Sequence, residues 1–109
     1  MARGRPSLPQ LKKYDVTQKV IAALVNVESR AILFDIVRAE RSAPEISARL
    51  RIPMSTTYGK IAELEGLALV SGRLVRTDGG SRMRVYRSRI RGAEIHVRGA
   101  EPRVVLDRN

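Results

Sequence analysis

Between Ser42 and Gly66 the sequence reads SAPEISARLRIPMSTTYGKIAELEG, and this stretch narrows the possible folds more than any other. Ser42 followed three residues later by Glu45 forms a capping box, in which each side chain satisfies the other residue's backbone N–H. Pro44 falls in the first turn, where a missing N–H costs nothing. Ile46 and Leu50, four apart, give the helix one buried side. Ile52 then precedes Pro53 and is pushed toward extended backbone, so the helix must stop by about Arg51. A second helix is predicted from about Pro53 to Glu65, with Gly66 as its left-handed stop. Two short helices across a tight turn are the expected result.

On a helical wheel for residues 53–65, Thr57, Ile61 and Leu64 share one side and are expected to pack inward. Ser55, Gly59 and Ala62 fall opposite, flanked by Thr56, Tyr58 and Glu63. A surface helix ordinarily shows lysine and glutamate there, and a glycine inside a helix costs about 1 kcal/mol relative to alanine. Small uncharged residues let a helix backbone approach another surface closely, as in the floor of a major groove. The arrangement is that of a helix-turn-helix.

The flanking segments define an α+β chain. Asp15 and Gln18 fit a capping pair for a helix whose apolar face is Val16, Val20, Ile21 and Leu24, ending near Asn26. The segment NVESRAILFDIVRAE then predicts a second helix burying Ile32, Leu33, Ile36 and Val37. After Leu67 the period changes: ALVSGRLVR and RMRVYRSRI, joined by TDGGS, predict a hairpin. Its second strand changes parity after Val85, so a bulge is expected near Tyr86. AEIHV and RVVLD predict two further short strands joined by RGAEP. With 109 residues there is room for one domain and an arm. The expected division is a basic arm over 1–14, a body over 15–91 and a β extension over 92–109 serving packing or dimerisation.

Charge indicates the partner. Lysine and arginine number 21 against 11 acidic residues, a formal charge of +10. Residues 1–14 hold four positive charges and no negative one, and residues 73–91 hold seven arginines against Asp78. The centre is nearly neutral and residues 92–109 balance at three of each sign. Arginine without lysine in the second block favours phosphate forks and narrow grooves. With no cysteine and the single histidine His96, thiolate metal sites and disulfides are excluded, and no cofactor or metal is expected. There is no nucleophile elbow and no phosphate-binding loop, so an enzyme is not expected. Only four aromatic residues are present, too few for an RNA stacking platform. No long apolar run or apolar leader occurs, and the expected location is cytoplasmic and nucleoid-associated.

The order helix, helix, turn, helix, basic hairpin resembles the winged helix-turn-helix, and IPMSTTYGKIAELEGLALV looks like archaeal regulators of the ArsR-like superfamily, over about residues 26–91. The resemblance implies a DNA-binding transcription regulator acting as a homodimer on double-stranded DNA. It would place Met54, Ser55, Thr56, Tyr58, Gly59 and Lys60 on a recognition helix in the major groove. Arg73, Arg76, Arg82 and Arg84 would form the wing, and the first helix or the C-terminal strands would form the dimer interface. The glycine at position 59 and the missing Cys/His sensor cluster depart from that pattern, and no small-molecule effector is expected. Arg3, Gly4, Arg5 and Pro6 resemble the core of an AT-hook, which lies extended in the minor groove of A·T-rich DNA. Two other readings fit the same residues. One is an architectural protein that coats DNA through its backbone, and the other is a winged-helix module that docks an acidic protein.

Overall fold

The computed structural model describes residues 16–109. Asp15 and the whole basic arm, including Arg3, Gly4, Arg5 and Pro6, lie outside the described residues.

Helix α1 (Val16–Val25) buries Val20, Ala23 and Leu24, while Val16 is 62% exposed rather than part of the inward face. Asn26 accepts the Ser29 N–H at 2.9 Å and starts α2 (Val27–Asp35), so a single polar residue separates the helices. Ser29, Ile32 and Leu33 of α2 are buried, as is Ile36 just beyond it. The helix was expected to continue through Val37 but stops at Asp35. The next carbonyls are used elsewhere: that of Ile36 accepts the Ser88 N–H at 2.9 Å, and that of Val37 accepts the Asn109 side-chain amide at 2.8 Å.

Strand β1 (Arg41–Ser42) leads directly into α3 (Ala43–Leu50). Ser42 accepts the Glu45 N–H on its hydroxyl at 3.3 Å and donates its own N–H to Glu45 Oε1 at 3.1 Å, completing the expected capping box. Arg51 ends α3 in the left-handed region, at φ 55°. Helix α4 (Met54–Gly66) follows three residues after α3, and Thr57, Ile61 and Leu64 are its buried positions, as the wheel requires.

Gly66 is not the stop; it belongs to the helix. The left-handed residue is Ala68, at φ 59°. Its N–H donates to the Glu65 carbonyl at 3.0 Å, and the Leu69 N–H donates to the Leu64 carbonyl at 2.9 Å. These two bonds make a Schellman ending, with the customary apolar contact supplied by Leu64 and Leu69, both 1% exposed. Burying this leucine pair offsets the cost of a left-handed alanine, about 1–2 kcal/mol.

β2 (Val70–Arg76) and β3 (Arg82–Ser88) pair without interruption from Val70↔Ser88 to Arg76↔Arg82. Gly80, at φ 84°, makes the tip, where the Thr77 N–H donates to the Ser81 carbonyl at 2.8 Å. No bulge occurs at Tyr86. Instead β1 pairs along the other edge of β3, with Arg41↔Tyr86 and Ser42↔Val85, making β3 the central strand. Val85 and Tyr86, of opposite parity, are therefore both buried. The segment expected as one strand through Ile90 breaks at Arg89, whose N–H donates to the Leu69 carbonyl at 2.8 Å. β4 (Ile90–His96) and β5 (Arg103–Arg108) form a separate two-stranded sheet with a register shift between Ile90 and Gly92.

The core joins Ile32, Leu33 and Ile36 with Ile46, Ile61, Leu64 and Leu69. α2 and α3 thereby pack against α4, leaving one face of it buried and the other open to solvent. Among the described residues no helix is long and apolar enough to cross a membrane.

Candidate nucleic-acid interface

Pro53 sets the start of α4 and leaves it uncapped. Its ring carries no acceptor, and no acidic residue stands in the first turn. The first amides of the helix, at Met54, Ser55 and Thr56, therefore face outward with the positive end of the helix dipole. One turn later the Pro53 carbonyl accepts both the N–H and the hydroxyl of Thr57, each at 3.0 Å, which holds the Thr57 side chain inward. The rest of the face follows from this rotation. Met54, Ser55, Tyr58, Gly59 and Ala62 are exposed, and Thr56 and Lys60 are half-buried. Lys60 sits toward α1, in a groove it lines with Lys19, Asn26 and Glu63. A Cβ built on Gly59 would meet nothing within 4 Å. Packing within the chain thus gives no reason for a glycine there.

The wing has two different faces. Along a strand alternate side chains share a side, and directly paired residues point the same way. Val70, Tyr86 and Ser88 are buried at the base of one face, and the same face continues outward through Leu74, Arg84, Arg76 and Arg82. Arg84 donates from Nη2 to Glu65 Oε2 at 3.0 Å, so this face adjoins the last turn of α4. Arg73 lies on the other face, grouped with its partner Val85. It forms a bidentate pair with Glu40, both contacts 2.7 Å, and this hydrogen-bonded guanidinium holds the Glu40 carboxyl below its usual range. The wing residues named from the sequence are therefore split: Arg76, Arg82 and Arg84 together, Arg73 apart.

Arg76 and Arg82 stand directly opposite each other across the ladder, and among the described residues neither has an acidic partner. Like charges in directly opposed positions are mutually destabilising. Arg84 differs, because Glu65 neutralises it and its guanidinium lies 5.7 Å from the centre of the Tyr86 ring. Burial raises the Tyr86 hydroxyl above its ordinary pKa, with Glu65 adding to the effect. Glu40 and Glu65 were not singled out in the sequence. They lie 33 and 19 residues from the arginines they bind, and no local pattern marks such a pairing.

Elsewhere chemistry is sparse. His96 is exposed and lies 3.3 Å from Glu94 Oε2. No group of three or more His, Cys, Asp or Glu side chains that could hold a metal exists among the described residues.

No protein-family model matches the sequence, and no curated protein matches it. Solved structures do. NolR from Sinorhizobium fredii is similar over 79% of this chain and 81% of its own, with TM-score 0.59 and 19% identity. Reduced HlyU from Vibrio cholerae is similar over 73% of this chain and 79% of its own, with TM-score 0.57 and 22% identity. The third is Mb0332 from Mycobacterium bovis, described as a homodimeric winged helix-turn-helix DNA-binding domain and a possible ArsR-family transcriptional regulator. It covers 79% of this chain and 75% of its own, with TM-score 0.57 and 22% identity. The chain has the winged helix-turn-helix fold.

Proposed function

We propose that this protein is a DNA-binding transcription regulator that places α4 in a major groove and the wing against the flanking backbone. The observation that carries the reading is the Arg76–Arg82 pair, two opposed arginines without acidic partners on the wing face that adjoins α4. A line of phosphates supplies the charge this pair lacks. Met54, Ser55, Thr56, Tyr58 and Gly59 form the surface that enters the groove, and the uncapped amides of α4 favour a phosphate at its mouth. Lys60 reaches the backbone from the flank. Arg3, Gly4, Arg5 and Pro6 extend the contact into an adjacent A·T-rich minor groove.

The protein acts as a homodimer, as described for Mb0332. An isolated two-stranded hairpin is at best marginally stable. In β4–β5, Ala93 and Ile95 share one face with Val104 and Leu106, and Val97 follows just beyond the strand. Val104 packs on the core, but Ile95, Val97 and Leu106 are 38%, 69% and 41% exposed. A second copy covers this stripe through a segment of no net charge, where two cationic chains meet with least repulsion. Two-fold symmetry then sets the recognition helices about 34 Å apart, one turn of the duplex.

A second reading, an architectural DNA binder, draws on the shortness of the side chains at Ser55, Gly59 and Ala62. Selection from a random duplex pool separates the two. A regulator enriches one palindromic sequence, whereas an architectural protein binds scrambled duplexes equally with a steep salt dependence. Absence of duplex affinity above nonspecific attraction at physiological salt contradicts both and leaves the protein-docking reading.

A further inference from the structure

Arg84 has the position of a phosphate contact, yet three features hold its guanidinium against the protein. Nη2 donates to Glu65 Oε2 at 3.0 Å, at the last turn of α4. The guanidinium carbon stands 5.7 Å from the centre of the Tyr86 ring, two residues along the same strand face. Across the ladder from Tyr86 is Gly72, and a Cβ there would lie 2.9 Å from both Nε and Nη2 of Arg84. Glycine weakens a strand interior, and Gly72 does not adopt the left-handed backbone that would call for it. What uses its missing side chain is the arginine lying over it.

We propose that Gly72, Arg84, Tyr86 and Glu65 form a latch that fixes the wing against the end of the recognition helix. Arg84 is then a positioning residue, and phosphate contact is left to Arg76 and Arg82. The proposal rests on the DNA-binding reading. A protein that meets a groove floor and the neighbouring backbone together gains affinity when the distance between its two contact surfaces is set before binding. The latch joins those surfaces directly, since Glu65 belongs to α4 and Arg84 to the wing.

The sign of one substitution separates the latch from a latent phosphate contact. Glu65→Gln removes a negative charge. If Arg84 were only held in reserve for a phosphate, that change would tighten duplex binding and steepen its salt dependence by about one ion. The latch requires the opposite: weaker binding, by up to about fivefold, the upper worth of an exposed pair, with the salt slope unchanged. Gly72→Ala should reproduce that loss with little change in Tm, because the atoms it displaces are the free end of a flexible side chain. Arg84→Lys should also weaken binding despite its charge, because an ammonium lacks the planar fork that both stacks and pairs. Arg82→Ala is the contrast, lowering the slope by about one.

Tighter binding by Glu65→Gln, or wild-type affinity in Arg84→Lys together with a reduced slope in Arg84→Ala, overturns the proposal. A measurement without DNA stands beside these. Residual dipolar couplings of residues 74–84 in the free protein should report a more variable wing orientation in Glu65→Gln than in wild type. Identical couplings overturn the latch. If wild-type protein shows no duplex affinity, the DNA-binding reading fails, and the couplings alone still decide whether the latch exists.

Discussion

The wing and the C-terminal hairpin are made of strands of nearly equal length, seven and seven residues against seven and six. Their anchoring and surfaces differ. The base of β2–β3 runs into the core through Val70 and Tyr86, with Ser88 buried beside them, and is flanked by β1, whereas β4–β5 joins the core mainly through Ile90 and Val104. β2 and β3 hold five arginines, with Asp78 in the turn between them the sole acidic residue, while residues 90–108 hold four arginines against three acidic residues. Hairpin geometry alone assigns neither one a partner. Under the proposed function the outward side chains do: opposed arginines call for a polyanion, and a nearly neutral apolar stripe calls for another apolar surface.

The largest effect is expected where that stripe is broken. Ile95→Asp combined with Val97→Asp should make the protein monomeric in sedimentation equilibrium and lower affinity for a duplex with two half-sites by about a hundredfold or more, through loss of bivalency. Affinity for a single half-site should hardly change. A variant that stays dimeric places the interface elsewhere, with α1 the next element to test. Next in size is removal of both opposed arginines. Arg76→Ala with Arg82→Ala should reduce the salt slope by about two and weaken binding by roughly tenfold to a hundredfold. Removing two charges from the other hairpin, Arg98 and Arg103, should leave the slope unchanged, and equal effects would erase the distinction.

Gly59→Ala should act in opposite directions on folding and binding. Its Cβ enters open space, so helix propensity should stabilise the protein by about 1 kcal/mol in chemical denaturation. If α4 lies close against the floor of a groove, the same methyl weakens binding; unchanged affinity moves Gly59 away from the DNA. The smallest effect concerns the Arg91–Asp107 pair of the C-terminal hairpin, whose side chains are 64% and 58% exposed. Asp107→Asn should change folding free energy by less than about 0.5 kcal/mol. A larger loss would show that ion pairing, rather than apolar contact, holds this hairpin.

Features set by neighbouring residues could be read from the sequence. The Ser42–Glu45 box, the stop before Pro53, the inward triad Thr57, Ile61 and Leu64, and the turn at Gly80 all depend on a few adjacent positions. The wing was legible for the same reason. Where tertiary contacts decide, local sequence pattern does not fix the structure. The stop after α4 fell to Ala68 because Leu64 and Leu69 needed burial together, a reward no propensity records. Tyr86 needed no bulge because β1, two residues long and hidden inside a capping signal, covers the edge of β3. That Arg73 falls on the face opposite Arg76 follows from strand parity, but the engagement of Arg73 by Glu40 and of Arg84 by Glu65 was illegible, since those carboxylates come from distant elements.

Which hairpin meets DNA is tested most directly by an amide-resolved NMR titration of the full chain with duplex. The expected result is that shifts concentrate in residues 54–62 of α4 and 74–84 of the wing, while residues 92–106 stay in place. Shifts centred on β4–β5, with α4 and the wing unmoved, would contradict it.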